Sequence, residues 1–321
     1  MPFNDIVGHK TPIRILRSMI QTGKIPHAFI FFGVAGIGKR TTAVSFVKAV
    51  NCMELDDDFC GTCVSCQKVE RGVHPDFFCV EPEKKVIKIE QIRTVQQDVS
   101  IRAIEGKKKV VIIDQAEKLN PHAANCLLKT LEEPPENTVI ILIAQSTAEI
   151  LATVLSRCQR IGFSPLNDEE MMFCLSAQGV DEERATLVTH IAQGSISRAL
   201  FLLDSDFTAK RRQIAEMLSQ GSCLHLDSMF DLSKELSVRG EEFPLILEFL
   251  KAWYRDVLLL KEGVSPDTLY NCDIVSFMES CAMNETREGI IKKLKQVQWM
   301  ERNVISNIDV QLGMETVFLG N

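Results

Sequence analysis

One junction within the first fifty residues most limits how this chain can fold. An apolar run, AFIFFG (28–33), leads into a glycine-rich loop, GVAGIGKR (33–40), and then into a helix-compatible segment, TTAVSFVKAV (41–50). A loop between a buried strand and a helix N-terminus can turn several backbone N–H groups toward a phosphate. The junction therefore predicts an α/β domain that carries a phosphate-binding loop.

The loop meets only part of what such a site requires. Its framework of three glycines and one lysine is present: Gly33, Gly36, Gly38 and Lys39. The next position normally supplies a Ser or Thr hydroxyl to Mg²⁺, but here it is Arg40, whose positive charge would repel a metal ion. Thr41 comes one residue late, which rotates its side chain by about 100° around a helix. The sequence leaves open whether this loop binds a nucleotide.

Two more apolar runs resemble buried strands, KVVIID (109–114) and NTVIILIA (137–144). Helix-compatible segments separate the runs, at 89–100 and 121–133. Continuous Val/Ile runs that alternate with helices are typical of a parallel sheet covered on both faces. The fold class predicted for the first half is therefore α/β.

After the segment SPLNDEE (164–170) the strand pattern stops and the remaining sequence is helix-compatible. We predict an α/β domain over residues 1–164, a small helical domain over 165–205, and a helical bundle over 206–321. Apolar residues in LILEFLKAWYRDVLLL (245–260) are expected to form mostly the internal core of that bundle, and the alternative is that this apolar stripe contacts other chains in an assembly.

A candidate metal-binding acid, Asp114, ends the second apolar run. Hydrolysing sites commonly place a Glu after this Asp, where it orients the attacking water. Here the next residue is Gln115, and an amide is a far weaker base than a carboxylate. Glu117 is expected to face solvent or a neighbouring basic group. Together with Arg40, the change at Gln115 favours a degenerate site.

Four cysteines fall within fifteen residues and form a candidate metal site: Cys52, Cys60, Cys63 and Cys66. Four thiolates suit tetrahedral Zn²⁺, and two-residue spacers let neighbouring ligands turn onto one ion. A redox-active CxxC pair is the alternative. The pattern predicts a structural Zn²⁺ site in an insertion at about 52–66.

Composition and charge exclude several classes of protein. The net charge is -7, whereas a protein that coats nucleic acid on its own needs a Lys/Arg surplus. No apolar run approaches the roughly 20 residues that span a bilayer, and the start of the chain lacks a secretion signal pattern. We expect a cytoplasmic protein that does not contact membranes.

Arg157 lies in LSRCQRIGF (155–163), where the α/β domain is predicted to end. One interpretation is an ion pair at the domain boundary. The other is that, in an oligomer, Arg157 reaches a neighbour's nucleotide and neutralises charge that develops on its γ-phosphate.

Taken together, these motifs resemble bacterial clamp-loader subunits of the AAA+ class. The resemblance covers residues 1–165 and rests on HAFIFFGVAGIGKR, the four-cysteine loop, HPD, VVIIDQAEKLN, NCLLKTLEEPP and LSRC. It implies that the helical segments are lid and collar domains. It also implies partners: gamma/tau and delta subunits, and through them a sliding clamp and primed DNA.

The resemblance further implies that Arg157 acts in trans as an arginine finger on the adjacent subunit's ATP. Because Arg40 and Gln115 depart from the pattern of the hydrolysing subunits, we expect a subunit that does not hydrolyse ATP itself. The alternative is an active gamma-like ATPase in which Thr41 or a shifted loop restores metal binding. A stand-alone zinc-bearing DNA-binding protein is a third alternative, which the acidic composition disfavours.

Overall fold

The computed structural model describes residues 2–204, 207–219, 234, 243–303 and 310–319. The chain divides into two compact units, which are described separately. The first comprises Met1–Glu182 and Gln193–Arg198, and the second comprises Glu183–Ala192 and Ala199–Asn321. The three-domain division remains a prediction, and parts of its last domain lie outside the described residues.

The first unit contains a five-stranded parallel sheet with the order β2-β3-β4-β1-β5. Its strands are β1 (Ala28–Phe32), β2 (Phe77–Val80), β3 (Lys109–Ile113), β4 (Thr138–Ala144) and β5 (Gln159–Gly162). The three apolar runs form strands, as predicted, and the structure places them at the centre of the sheet. The sequence did not predict the edge strands β2 and β5.

Helices cover both faces of the sheet, which confirms the predicted α/β class. The helices of this unit are α1 (Lys10–Thr22), α2 (Lys39–Val50), α3 (Val64–Glu70), α4 (Ile89–Ser100), α5 (Pro121–Glu132), α6 (Ala152–Leu155) and α7 (Asp168–Ser176). Alternate strand residues point to opposite faces, so Phe29 and Phe31 pack with α1 and α2 while Ile30 packs on the side of α4 and α5. The two cores hold the carboxyl ends of the strands at one edge of the sheet.

Local sequence explains why α5 begins where it does. The Asn120 side chain accepts a hydrogen bond of 2.7 Å from the Ala123 N–H, and Pro121 occupies the first helical position. An Asn cap satisfies an otherwise unpaired N–H, and proline has no N–H to lose there. The start of α5 is thus fixed, and its last residue is Glu132.

The second unit is helical in its described residues. Its helices are α8 (Glu182–Ala192) and α9 (Ile196–Asp204), both of which begin in the first unit, α10 (Phe207–Ser219), α11 (Phe243–Lys261), α12 (Val275–Asn284), α13 (Arg287–Asn303) and α14 (Val310–Leu319). Trp253 and Tyr254 of α11 are buried in its core, as the apolar pattern predicts. Buried Arg211 pairs with Asp273 at 2.6 Å, which ties α10 to the segment before α12.

None of the described helices is long and apolar enough to cross a bilayer.

Candidate functional site

The glycine-rich loop follows β1 and leads into α2, as the sequence predicts. Gly36 has a φ of 73°, and a Cβ added there would lie 2.4 Å from the Ser195 Oγ. A Cβ on Gly33 would lie 2.3 Å from the Phe163 carbonyl oxygen. Both positions need glycine, because the backbone conformation and the close neighbours leave no room for a side chain.

Contacts from distant parts of the first unit hold the loop in place. The Ser195 hydroxyl donates to the Ala35 carbonyl at 2.9 Å, and the Ser197 N–H donates to the Gly36 carbonyl at 3.2 Å. His9 Nε2 lies 2.6 Å from the Ile37 carbonyl oxygen, so this nitrogen carries the proton. Sequence reasoning missed these residues, and their spacing from the loop gives no signal.

Lys39 bonds to the loop itself. Its Nζ donates to the carbonyls of Gly33 and Val34, each at 2.6 Å. Burial lowers the pKa of Lys39, and the negative charges of Glu117 and Asp114 oppose that shift. Lys39, the lysine expected to bind a phosphate, therefore donates its hydrogen bonds to backbone carbonyls of the loop.

Arg40 projects toward the acid that would hold a metal. Its Nη1 lies 3.3 Å from Asp114 Oδ2, and its Nη2 forms an ion pair with Glu81, which follows β2. Asp114 follows β3, and its other oxygen accepts a hydrogen bond of 2.9 Å from the Gln115 N–H. The cationic guanidinium therefore lies against the carboxylate that Mg²⁺ would need.

Gln115 and Glu117 also line the pocket beside the loop, which has a volume of about 460 Å³. Gln115 is exposed and offers only an amide at the position of a general base. The carboxylate oxygens of Glu117 are buried and accept no hydrogen bond from the described residues. Of the two surroundings expected for Glu117, the structure shows the basic neighbour, since its charge acts on Lys39.

The four cysteines converge. Their sulfur atoms all lie within 4.8 Å of one another, and Cys52 and Cys66 are buried while Cys60 and Cys63 are partly exposed. A tetrahedral Zn²⁺ centre places its sulfur atoms about 3.8 Å apart. A small contraction would therefore give that geometry, and the donor set fits zinc.

Hydrogen bonds around the cluster favour thiolates on its exposed side. The Cys63 N–H donates to Cys60 Sγ at 3.2 Å, and the Cys66 N–H lies 3.5 Å from Cys63 Sγ. Hydrogen bonds from the Thr62 side chain, from Cys63 and from the Thr62 backbone lower the pKa of Cys60 to about 6. Burial raises the pKa of Cys66 above the usual range for a thiol. Binding of a cation would reverse that shift, because it favours the deprotonated ligand.

Arg157 lies between α6 and β5 and is paired within its own chain. Its Nη2 is 2.7 Å from Glu132 Oε1, and its Nη1 donates to the Thr153 carbonyl at 2.8 Å and to the Ser156 hydroxyl at 3.1 Å. The side chain is 35% exposed. Among the described residues, those that line the pocket do not include Arg157. The structure thus groups Gly36, Gly38, Lys39 and Asp114 at one pocket and leaves Arg157 outside it.

These features define a class of protein. A parallel sheet with a glycine loop after the central strand β1, and an acid after β3 on the far side of β4, is the arrangement of a P-loop fold. Residues 8–167 match the model of the family described as DNA polymerase III, delta subunit.

Known proteins narrow the class further. The chain is 30% identical over 311 residues to the DNA polymerase III subunit delta' of Bacillus subtilis. The aligned region covers 96% of this chain and 94% of that protein. A gamma subunit from Buchnera aphidicola is 31% identical over 209 residues, or 63% of this chain and 58% of that protein. The chain therefore belongs to the DNA polymerase III delta' family of clamp-loader subunits, which confirms the resemblance read from the sequence.

Comparison with solved structures gives matches of low sequence identity that extend over most of the chain. A gamma subunit-related protein of Thermotoga maritima has 19% identity and a TM-score of 0.44, and covers 96% of this chain and 97% of that one. The clamp loader delta protein of Bacillus subtilis has 15% identity and a TM-score of 0.36, and covers 96% of this chain and 98% of that one.

Proposed function

We propose that this chain is a non-hydrolysing subunit of a DNA polymerase III clamp loader in the cytoplasm. It assembles with gamma/tau and delta subunits, and the complex places a sliding clamp on primed DNA. Similarity to a delta' subunit over almost the whole chain supports this role. The segments 165–205 and 206–321 would serve as its lid and collar.

The contact between Arg40 and Asp114 carries the non-hydrolysing part of the proposal. Hydrolysis of ATP at a P-loop requires Mg²⁺ to neutralise charge that develops on the phosphates. A metal at Asp114 would have to displace a guanidinium that Glu81 also holds. Because Gln115 cannot act as a base, the loop would retain at most phosphate binding.

Arg157 supplies the other half of the proposal. Its guanidinium lies at the surface of the first unit, outside the pocket of its own chain. A neighbouring gamma/tau subunit that presents its bound ATP to this surface would receive a positive charge beside the γ-phosphate. Such a charge stabilises the transition state of phosphoryl transfer. It would be supplied by this chain, whereas the ATP would be bound and hydrolysed by the neighbouring chain.

Cys52, Cys60, Cys63 and Cys66 would hold one structural Zn²⁺, which pins the loop between α2 and α3. Metal analysis of protein purified under reducing, chelator-free conditions should find about one zinc ion per chain. Cys63→Ser should lose the metal, whereas Cys79→Ser, at an exposed cysteine outside the cluster, should keep it. Metal-free protein with a reversible disulfide would instead support the redox interpretation.

One observation favours the second candidate function, an active gamma-like ATPase. The Glu117 carboxylate lines the pocket and has no hydrogen-bond partner among the described residues. It could serve as a base if Arg40 left Asp114 and Thr41 approached a metal.

Reconstitution tests the proposed assembly. Mixing this chain with gamma/tau and delta subunits should give one complex in size-exclusion chromatography that loads the clamp, and omission of this chain should abolish loading. A homo-oligomer with its own ATPase activity, and no complex with those subunits, would contradict the proposal.

A further inference from the structure

Arg157 forms an ion pair with Glu132, the last residue of α5, which does not line the pocket beside the glycine loop. We infer that Glu132 is a positioning residue, which orients the Arg157 guanidinium for the nucleotide of the neighbouring subunit. This inference rests on the proposed role of Arg157 in trans. It adds a second residue on which hydrolysis in the neighbour depends.

The geometry fixes the guanidinium from two sides. Glu132 Oε1 lies 2.7 Å from Nη2, while the Thr153 carbonyl and the Ser156 hydroxyl accept hydrogen bonds from Nη1. A free arginine side chain samples many rotamers, and a planar fork that is held in advance loses less entropy when it binds. Because a guanidinium has five N–H donors, these contacts leave it able to donate to a phosphate.

The negative charge of Glu132 is unfavourable at its position in α5. Glu132 is the last residue of α5, where the helix dipole presents negative charge and a carboxylate is unfavourable. Its side chain is 50% exposed, so it does not fill the core. The contact with Arg157 compensates a negative charge at this position.

Its nearest neighbour in sequence offers a matched control. Glu133 is also exposed and carries the same charge, but the described part of the chain gives its side chain no ion pair. Glu132→Gln and Glu133→Gln therefore remove the same charge one residue apart. Only the first change removes the partner of Arg157.

The experiment uses the reconstituted complex with clamp and primed DNA, and follows phosphate release before steady state at saturating ATP. Arg157→Ala should remove the fast phase contributed by the neighbouring site, since an arginine finger is worth about a thousandfold or more in rate. Glu132→Gln should keep that phase but slow it about threefold, the change expected for one surface ion pair. The ATP concentration for half-maximal rate should stay unchanged, and Glu133→Gln should match the wild type.

The double variant separates positioning from a structural role. If Glu132 acts through Arg157, Arg157→Ala with Glu132→Gln should behave as Arg157→Ala alone, whereas a structural defect would lower the remaining phases further. An unchanged fast phase in Arg157→Ala would overturn the proposed function itself. A normal or faster phase in Glu132→Gln, beside a lost phase in Arg157→Ala, would overturn only this inference.

Discussion

The pocket beside the glycine loop and the surface around Arg157 each contain an arginine paired with a carboxylate. In the pocket, Arg40 pairs with Asp114, the group that a metal would need. At the surface, Arg157 pairs with Glu132, which does not line the pocket. Arg40 is in fact the more exposed of the two arginines, at 52% against 35%. The two arginines therefore differ in their partners rather than in their exposure. Arg40 occupies the carboxylate that a metal would need, whereas Arg157 pairs with a carboxylate outside the pocket and is available to another chain.

The largest effect is expected at the surface. Arg157→Ala should lower the rate of ATP hydrolysis at the neighbouring site of the reconstituted complex by about a thousandfold or more when clamp and DNA are present, because that site loses its trans charge. Assembly, followed by size-exclusion chromatography, should be unaffected. If the ATP turnover were unchanged, Arg157 would have no role in hydrolysis by the neighbour, and the proposed functional difference between Arg157 and Arg40 would be wrong.

A smaller effect is expected in the pocket. Arg40→Thr removes the cation from Asp114 and restores a hydroxyl, so Mg²⁺ should strengthen ADP binding to the isolated chain by about tenfold. Arg40→Lys, which keeps the positive charge, should show no response to Mg²⁺. Calorimetric titration with and without EDTA measures both. Wild-type binding that already depends on Mg²⁺ would show that Arg40 does not block the metal.

The smallest effect is expected at the outer partner of Arg40. Glu81 is 53% exposed, and an exposed ion pair contributes roughly 0 to 1 kcal/mol. Glu81→Gln should therefore change the free energy of unfolding by less than about 1 kcal/mol in urea titrations. The Mg²⁺ response should stay absent, since Asp114 still holds Arg40. A response equal to that of Arg40→Thr would assign the block to Glu81 instead.

The sequence predicted those parts of the fold that local patterns determine. Central strands β1, β3 and β4 are buried on both faces and read as continuous apolar runs. Strand β5 has the sequence QRIG, in which three of four residues are exposed, and its pairing with β1 comes from backbone contacts that no side-chain pattern reveals. The convergence of the four cysteines was predictable because their spacing alone permits it.

The residues that contact the site residues could not be predicted from the sequence. Glu81 reaches Arg40 only because β2 pairs with β3, and β2 itself was not predicted. Ser195 reaches the glycine loop across 160 positions of sequence. Glu132 meets Arg157 because α5 and α6 pack against the same face of the sheet. Motifs identify which residues carry charge, whereas the fold decides which charges meet.

The most direct test of the central claim is ATP turnover by the isolated chain. At high protein concentration, with Mg²⁺, we expect no turnover above background, and Lys39→Ala should change nothing. The same Lys39→Ala chain should also support normal turnover when it is built into the reconstituted complex. Robust hydrolysis by the isolated wild-type chain that Lys39→Ala abolishes would contradict the account and identify an active gamma-like ATPase.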